Sequence, residues 1–241
     1  GKPLRGAGSH GPTLGGAGML AIGTGGVELA AALTGAPHYF TCPRVMRVTL
    51  RGKLRPWVSA KDVILHIIGQ LAGRKTSDLA LEYTGPGVAT LSVPQRATIA
   101  NMGAELRLTT SLFPADERSR IFFSSQGRGK DAKKLKATKG AAYHEELEVN
   151  LGQVEPMLAL PHSPLKVAPV RQHTGLPVDQ VAVGSCTNGS YEDIAQVALV
   201  LRKRNSYFAQ WCSEAPADQA YQTGSTRPSR NLFLAPYVFD E

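Results

Sequence analysis

Two periods run through the apolar positions. Residues 45–51 alternate, with Met46, Val48 and Leu50 facing one way and Arg47, Thr49 and Arg51 the other, which predicts a half-buried strand. Leu79, Leu81 and Tyr83 alternate with Ala80 and Glu82, a second strand ended by Gly85-Pro86-Gly87. Leu147, Val149 and Leu151 alternate with Glu146, Glu148 and Asn150, a third. Val63, Ile64, Ile67, Ile68 and Leu71 recur at helical spacing behind a Ser59/Asp62 capping box, so a well-buried helix is expected, with His66 a packing residue on it. Pro94 suits the first turn of another helix, on which Ile99, Met102 and Leu106 share one face. Asn101 and Glu105 share a different face, nearly opposite Ile99, and spacing alone reads them as a polar stripe in water. A further helix is expected over 115–125.

Toward the ends the pattern is less regular. Gly-rich turns enclose Met19–Ile22, and Val27–Leu33 reads as a helix packed closely through Gly and Ala. Residues 37–43 read as a linker, and Pro156, Pro161, Pro164 and Pro169 punctuate a second, extended one. Asp179–Val183 reads as a short buried strand. A small-residue turn through Cys186 follows, then a helix with a Ser190/Asp193 capping box and Ile194, Val197, Ala198 and Leu201 on one face. No clear period continues past Arg204.

The 241 residues are enough for one large or two small domains, and 42% apolar residues with 25 Gly and 16 Pro suit a loop-rich α/β protein. No apolar run approaches the ~18 residues that would span a bilayer, so no membrane partner is expected. The N-terminus has neither a Met start nor a signal peptide, which reads as a fragment or a processed product. Cys42, Cys186 and Cys212 are too few and too far apart for a disulfide framework, and a reducing, cytoplasmic setting fits them best. Cys42, with no second thiol nearby, is taken as structural. The net charge of +8 admits nucleic acid, a membrane surface or small anionic substrates. The densest basic run, Arg128, Lys130, Lys133, Lys134, Lys136 and Lys139, lacks aromatic residues for base stacking and reads as a solvated segment.

Cys186 sits between a strand end and a helix start, where free N–H groups favour a thiolate and where α/β sheets tend to bind ligands. An arbitrary lone cysteine is more often a buried structural thiol. Its neighbours point elsewhere. Gly184-Ser185-Cys186-Thr187-Asn188-Gly189, followed by Ser-Tyr-Glu-Asp, resembles the signature of the aconitase and isopropylmalate dehydratase family. Two more stretches resemble it in the right order: Ser9-His10-x-Pro12 with Gly15, Gly16, Gly25 and Gly26, and Ala97-Thr98-Ile99-x-Asn101-Met102-Gly103-Ala104-Glu105 followed by Thr-Thr-Ser-x-Phe-Pro. The resemblance covers about residues 5–204 and leans toward aconitases through Val-Pro-Gln-Arg-Ala-Thr-Ile and Tyr-Glu-Asp.

That resemblance implies an incomplete set of aconitase-type α/β/α domains with mainly parallel sheets. Residues 1–43 would end a first domain, 44–143 form a second, 144–204 begin a third, and 205–241 make an irregular tail. It implies hydro-lyase chemistry on a small anionic hydroxy-tricarboxylate such as citrate or isocitrate, through a 4Fe–4S cluster whose first thiolate is Cys186. Asn188 would lie beside Cys186, Ser9 contact cluster or substrate, and Asn101 face the cluster. His10 would serve the hydroxyl that is removed and Glu105 handle the departing water.

Departures from the family pattern are local. Gly8 stands where the family has Asp and can neither orient His10 nor accept its proton, and Arg107-Leu108 replace the usual Gly-Ala. The second and third cluster cysteines and the base serine do not follow Cys186, so a chain limited to these residues is expected to hold no stable cluster and to be inactive by itself. The alternative reading is a non-catalytic remnant acting as a binding module for RNA.

Overall fold

The structure, a computed structural model, describes residues 3–37, 39–178 and 181–202. It falls into two compact units, divided between Leu176 and Pro177. In chain order the first unit contains β1 (Leu4–Ala7), β2 (Ala21–Thr24), α1 (Gly26–Leu33), β3 (Arg44–Arg51), α2 (Ala60–Leu71), β4 (Leu79–Thr84), α3 (Val93–Met102), β5 (Thr110–Leu112), α4 (Glu117–Ser125), β6 (Glu145–Asn150), β7 (Met157–Ala159) and β8 (Val167–Pro169). The second contains α5 (Ser185–Asn188) and α6 (Tyr191–Arg202).

The centre of the first unit is a parallel sheet in the order β5-β4-β3-β6. Alternation builds it. Met46, Val48 and Leu50 of β3 and Leu79, Leu81 and Tyr83 of β4 are buried, while Arg47 and Arg51 pair with Glu146 and Glu148 across the β3–β6 register. At one end of the sheet, Arg44 binds both Asp78 and Glu145, and Arg74 also pairs with Glu145. Exposed pairs of this kind add little stability but set register. β6, in the stretch read as the start of a third domain, is hydrogen-bonded to β3.

The Ser59/Asp62 capping box starts α2, whose Val63, Ile64, Ile67, Ile68 and Leu71 enter the core. Asp62 reaches further than a cap, since its second oxygen accepts the Met157 amide at 2.7 Å. This bond fixes the β7–β8 antiparallel pair beside α2. The stretch expected to be an extended linker therefore contains a small ribbon, whose three-residue strands are too short to show a period.

Other expectations are also revised. α1 forms and touches β1, but none of its residues is buried: Val27 is 86% exposed and Leu33 80%. Cys42 is exposed rather than packed. The basic run, by contrast, is an exposed segment as expected, in which Arg128 pairs with Asp131 and Leu135 bridges Ala115.

Arg96 is fully buried beneath this fold. Its two terminal nitrogens bind Asp116 at 2.9 and 2.8 Å and reach the carbonyls of Pro114 and Val88. The same Asp116 caps α4. Burial works to raise the Asp116 carboxyl, but the Arg96 hydrogen bonds and charge, with two backbone amides, overcome it and hold the group below the usual range. A depressed carboxyl contributes its stability above its unfolded value, near 4, and loses it as pH falls through the folded value. Asp116→Asn is expected to lower unfolding free energy by about 2–3 kcal/mol at pH 7 in urea titrations. The difference from the unaltered chain should shrink steadily below about pH 4; a gap constant from pH 7 to pH 3 would contradict this account.

Candidate functional site

The site begins where β1 ends. Gly8 turns the chain with φ of 121°, in a region that glycine tolerates best. Ser9 and His10 follow, and a 3₁₀ turn, Gly11–Ala17, lies beyond them. Gly15 and Gly16 of this turn press against other backbone. A Cβ on Gly15 would stand 1.7 Å from the Ser111 carbonyl oxygen, and one on Gly16 would stand 2.4 Å from the Ala97 nitrogen. The Phe113 amide donates to the Gly15 carbonyl at 2.9 Å, and the Thr110 hydroxyl donates to Ala21 at 2.6 Å. The Gly-rich segment is thereby laid on α3 and β5.

At its C-terminal end α3 stops at Met102, and a 3₁₀ turn, Gly103–Leu106, carries Glu105. Asn101 and Glu105 are therefore not on one continuous α-helix. Arg107 closes this turn at φ of 56°, a left-handed conformation, at the position where the resemblance places glycine.

Four of the candidate residues, Ser9, His10, Asn101 and Glu105, come together here. His10 Nε2 lies 3.5 Å from Glu105 Oε1, with the two side chains 35% and 25% exposed. His10 Nδ1 lies 3.2 Å from the Ser9 hydroxyl. The Thr13 hydroxyl donates to the His10 carbonyl at 2.6 Å and accepts from Asn101 Nδ2 at 2.8 Å. Asn101, read from spacing as a solvated residue, is fully buried, because the glycine turn covers that side of α3. His10 thus has two neighbours to orient it although Gly8 provides none. An aspartate at position 8 would find open space but a strained backbone. Chemically, the result is an imidazole and a carboxylate near each other, partly open to solvent, able to exchange a proton with a bound group.

Cys186 and Asn188 lie in the second unit, on the single turn of α5. Ser185 holds φ of 63°, and the Cys186 thiol is exposed. The Asn188 side chain donates to Asp193 at 3.1 Å, and Asp193 in turn caps α6 through Ser190. The expected buried strand is not seen in its described part: Val183 is a lone bridge residue and Val181 is 44% exposed, with no strand of the second unit beside them among the described residues. Residues 179 and 180 lie outside the described residues, as does Cys212.

The expected 4Fe–4S cluster can be tested against the side chains present. Among the described residues no group of three His, Cys, Asp or Glu side chains could hold a metal ion. Cys186 supplies one thiolate where such a cluster needs three or four. The described residues by themselves do not fit the group. Among the described residues no helix is long and apolar enough to cross a membrane.

Two residues of the site escaped sequence reasoning. Thr13, three residues beyond His10, offered only a hydroxyl in a tight turn. Lys61, in the first turn of α2, is half-buried and lies within electrostatic reach of Glu105. Its only sequence signal was a charge ahead of a strongly apolar helix.

Fold and site together define a parallel α/β protein with an imidazole–carboxylate couple set on a buried amide. A sequence profile of the aconitase family (aconitate hydratase) matches residues 1–217, and the chain belongs to that family. It is 40% identical to a 3-isopropylmalate dehydratase large subunit of Nitratidesulfovibrio vulgaris over 90% of this chain and 51% of that one. It is 36% identical both to a mitochondrial aconitate hydratase of Gracilaria gracilis and to a mitochondrial homocitrate dehydratase of Saccharomyces cerevisiae, over 84% of this chain and 28% of each relative. A solved structure, aconitase X of Thermococcus kodakaraensis, overlays with a TM-score of 0.45 at 17% identity, covering 85% of this chain and 47% of that one. The chain spans about half the length of the 3-isopropylmalate dehydratase subunits it matches. The relatives include dehydratases of different names, so the leaning toward aconitases is not separated from the alternatives.

The glycine contact is testable by itself. Gly16→Ala should destabilise the protein by about 1–3 kcal/mol, because the new methyl meets backbone that cannot swing aside. Gly26→Ala, where a Cβ would meet nothing within 4 Å, should change stability by no more than about 1 kcal/mol. Thermal unfolding of the two variants side by side checks the contrast.

Proposed function

We propose that this chain contributes the acid–base portion of a hydro-lyase site that adds water to, or removes it from, a hydroxy di- or tricarboxylate. The carrying observation is the 3.5 Å approach of His10 to Glu105, brought together from two motifs far apart in sequence. In dehydration, the proton of the couple passes to the hydroxyl as its C–O bond breaks and water departs, while a base outside the described residues takes the proton from the adjacent carbon and that C–H electron pair becomes the new double bond. In hydration, the couple takes that proton back. Ser9, exposed and next to His10, is placed to hold the imidazole ring or a substrate oxygen. Asn101 acts through Thr13, fixing the backbone at His10. Cys186, exposed on its turn, is the thiolate this chain offers to a 4Fe–4S cluster, with Asn188 beside it. The choice among citrate, homocitrate and isopropylmalate rests on residues that the described site does not supply.

The test replaces the homologous half of the Nitratidesulfovibrio vulgaris subunit with residues 1–202 of this chain and follows formation of the unsaturated acid. The chimera, reconstituted with iron and sulfide and mixed with its partner subunit, should turn over one of these substrates. His10→Asn and Glu105→Gln should each lower kcat about 10²–10⁴-fold, with smaller changes in KM. Turnover unaffected by both substitutions would remove the couple from the reaction.

A further inference from the structure

An open groove of about 390 Å³ lies on the first unit, and none of its lining residues takes part in the scheme above. Three stretches build it: Arg55 from the loop between β3 and α2, Glu155 and Pro156 just before β7, and Val170 and Arg171 from the 3₁₀ turn after β8. We propose that this groove is a binding site for a small organic acid with one carboxylate and an apolar body. The inference stands apart from the reading of His10 and Glu105, and either can fail without the other.

The groove is held in shape by its own contacts. The Val170 amide donates to the Pro156 carbonyl at 2.9 Å, which joins the two sides where the chain enters and leaves the β7–β8 ribbon. The Met157 amide, next along, is fixed to Asp62 of α2. Arg55 Nη2 donates to the Val154 carbonyl at 3.1 Å, and Arg171 Nε donates to Glu155 Oε2 at 2.9 Å. These contacts use one N–H of each guanidinium and leave the rest of each planar fork without an acceptor among the described residues. The Glu155 carboxyl is held below its usual range, first by the Arg171 hydrogen bond and then by the charges of Arg171 and Arg55, so both guanidiniums act on one carboxylate. Two cations against one anion leave one positive charge in excess, which a single ligand carboxylate neutralises. A second carboxylate on the ligand would bring surplus negative charge to Glu155. The surface between the charges is mostly apolar, and an acyl body laid on Pro156 and Val170, the latter 38% exposed, takes it out of water. The volume is at the small end of ligand pockets, which run from ~300 to ~1,000 Å³, and suits a body of a few carbons rather than a length of peptide.

The test is an NMR titration of the 241-residue protein, labelled at arginine side chains and valine methyls, with hexanoate. Hexanoate should shift the Arg55 and Arg171 Nε–H signals and the Val170 methyls together, with a dissociation constant on the order of millimolar. Hexanamide keeps the body without the charge, and succinate has two charges without the body; each should bind at least about fivefold more weakly. Arg171→Gln should weaken hexanoate about fivefold and Arg171→Lys about twofold, because lysine keeps the charge but not the fork. Glu155→Gln removes the competing anion and should tighten hexanoate about twofold, with a larger gain for succinate. Melting temperatures of the variants show whether the fold is kept, and Glu155→Gln, expected to gain affinity, reads the site independently of any loss of structure. Equal binding of hexanamide, or weaker hexanoate binding after Glu155→Gln, would overturn the proposal. So would shifts at Arg128 in the basic run with none at Val170, which would mean loose association with exposed cations. A short peptide with a free C-terminal leucine that moves these signals where hexanoate does not would replace the small acid by a protein end, and would also overturn it.

Discussion

Everything in the first unit that bears on chemistry depends on one contact between bare backbones. Gly15 and Gly16 let a 3₁₀ turn lie directly on α3 and β5, closer than any side chain would allow. Close approach replaces side-chain packing with backbone hydrogen bonds, such as Phe113 to Gly15. Because the contact leaves no slack, it transmits position. The residues on either side of it, His10 on the turn and Glu105 past the end of α3, inherit their separation from it. Asn101 and Thr13 then lock the arrangement with two hydrogen bonds inside the seam.

The support beneath this seam is ionic. Arg96 lies on the same helix as Asn101, and its guanidinium ties α3 to the start of α4 and to the carbonyls of Pro114 and Val88. A guanidinium removed from water is tolerated when its donors meet a bidentate carboxylate and carbonyls together. Stacking of Tyr83 on Phe113, with ring centroids 4.2 Å apart, joins β4 to the strand end that holds Gly15. The site is thus supported from below by a charge network and from the side by aromatic packing, while the His10 and Glu105 side chains stay in partial contact with water.

Much of the sheet was legible because its strands keep a clean period of two. β3 and β4 show Met46-Val48-Leu50 and Leu79-Leu81-Tyr83 on the buried face, and α2 shows its apolar stripe behind a full capping box. β7 and β8 were illegible because three residues cannot display alternation, and the prolines around them read as linker. α1 misled because Gly and Ala look like close packing wherever they occur, yet Val27 and Leu33 face outward. The site divides in the same way. A helical wheel puts Asn101 opposite Ile99 and hence in water; only the arrival of a turn from far away in the chain buries it. His10 and Glu105 were named through family resemblance, whereas Thr13 acts through neighbours that no local pattern reveals.

The glycine seam also has a consequence in time. The turn at residues 11–17 leaves the ribosome long before its bed at Ala97, Ser111 and Phe113 exists. At ~5–20 residues per second, roughly a hundred residues of further synthesis take about 5–20 s. β1 and β2 pair with each other, and a two-stranded fragment by itself is too small to persist. The segment that carries Ser9 and His10 therefore settles only after α3 and β5 have emerged. The surroundings of His10 are thus complete only once residues about a hundred positions further along have been made.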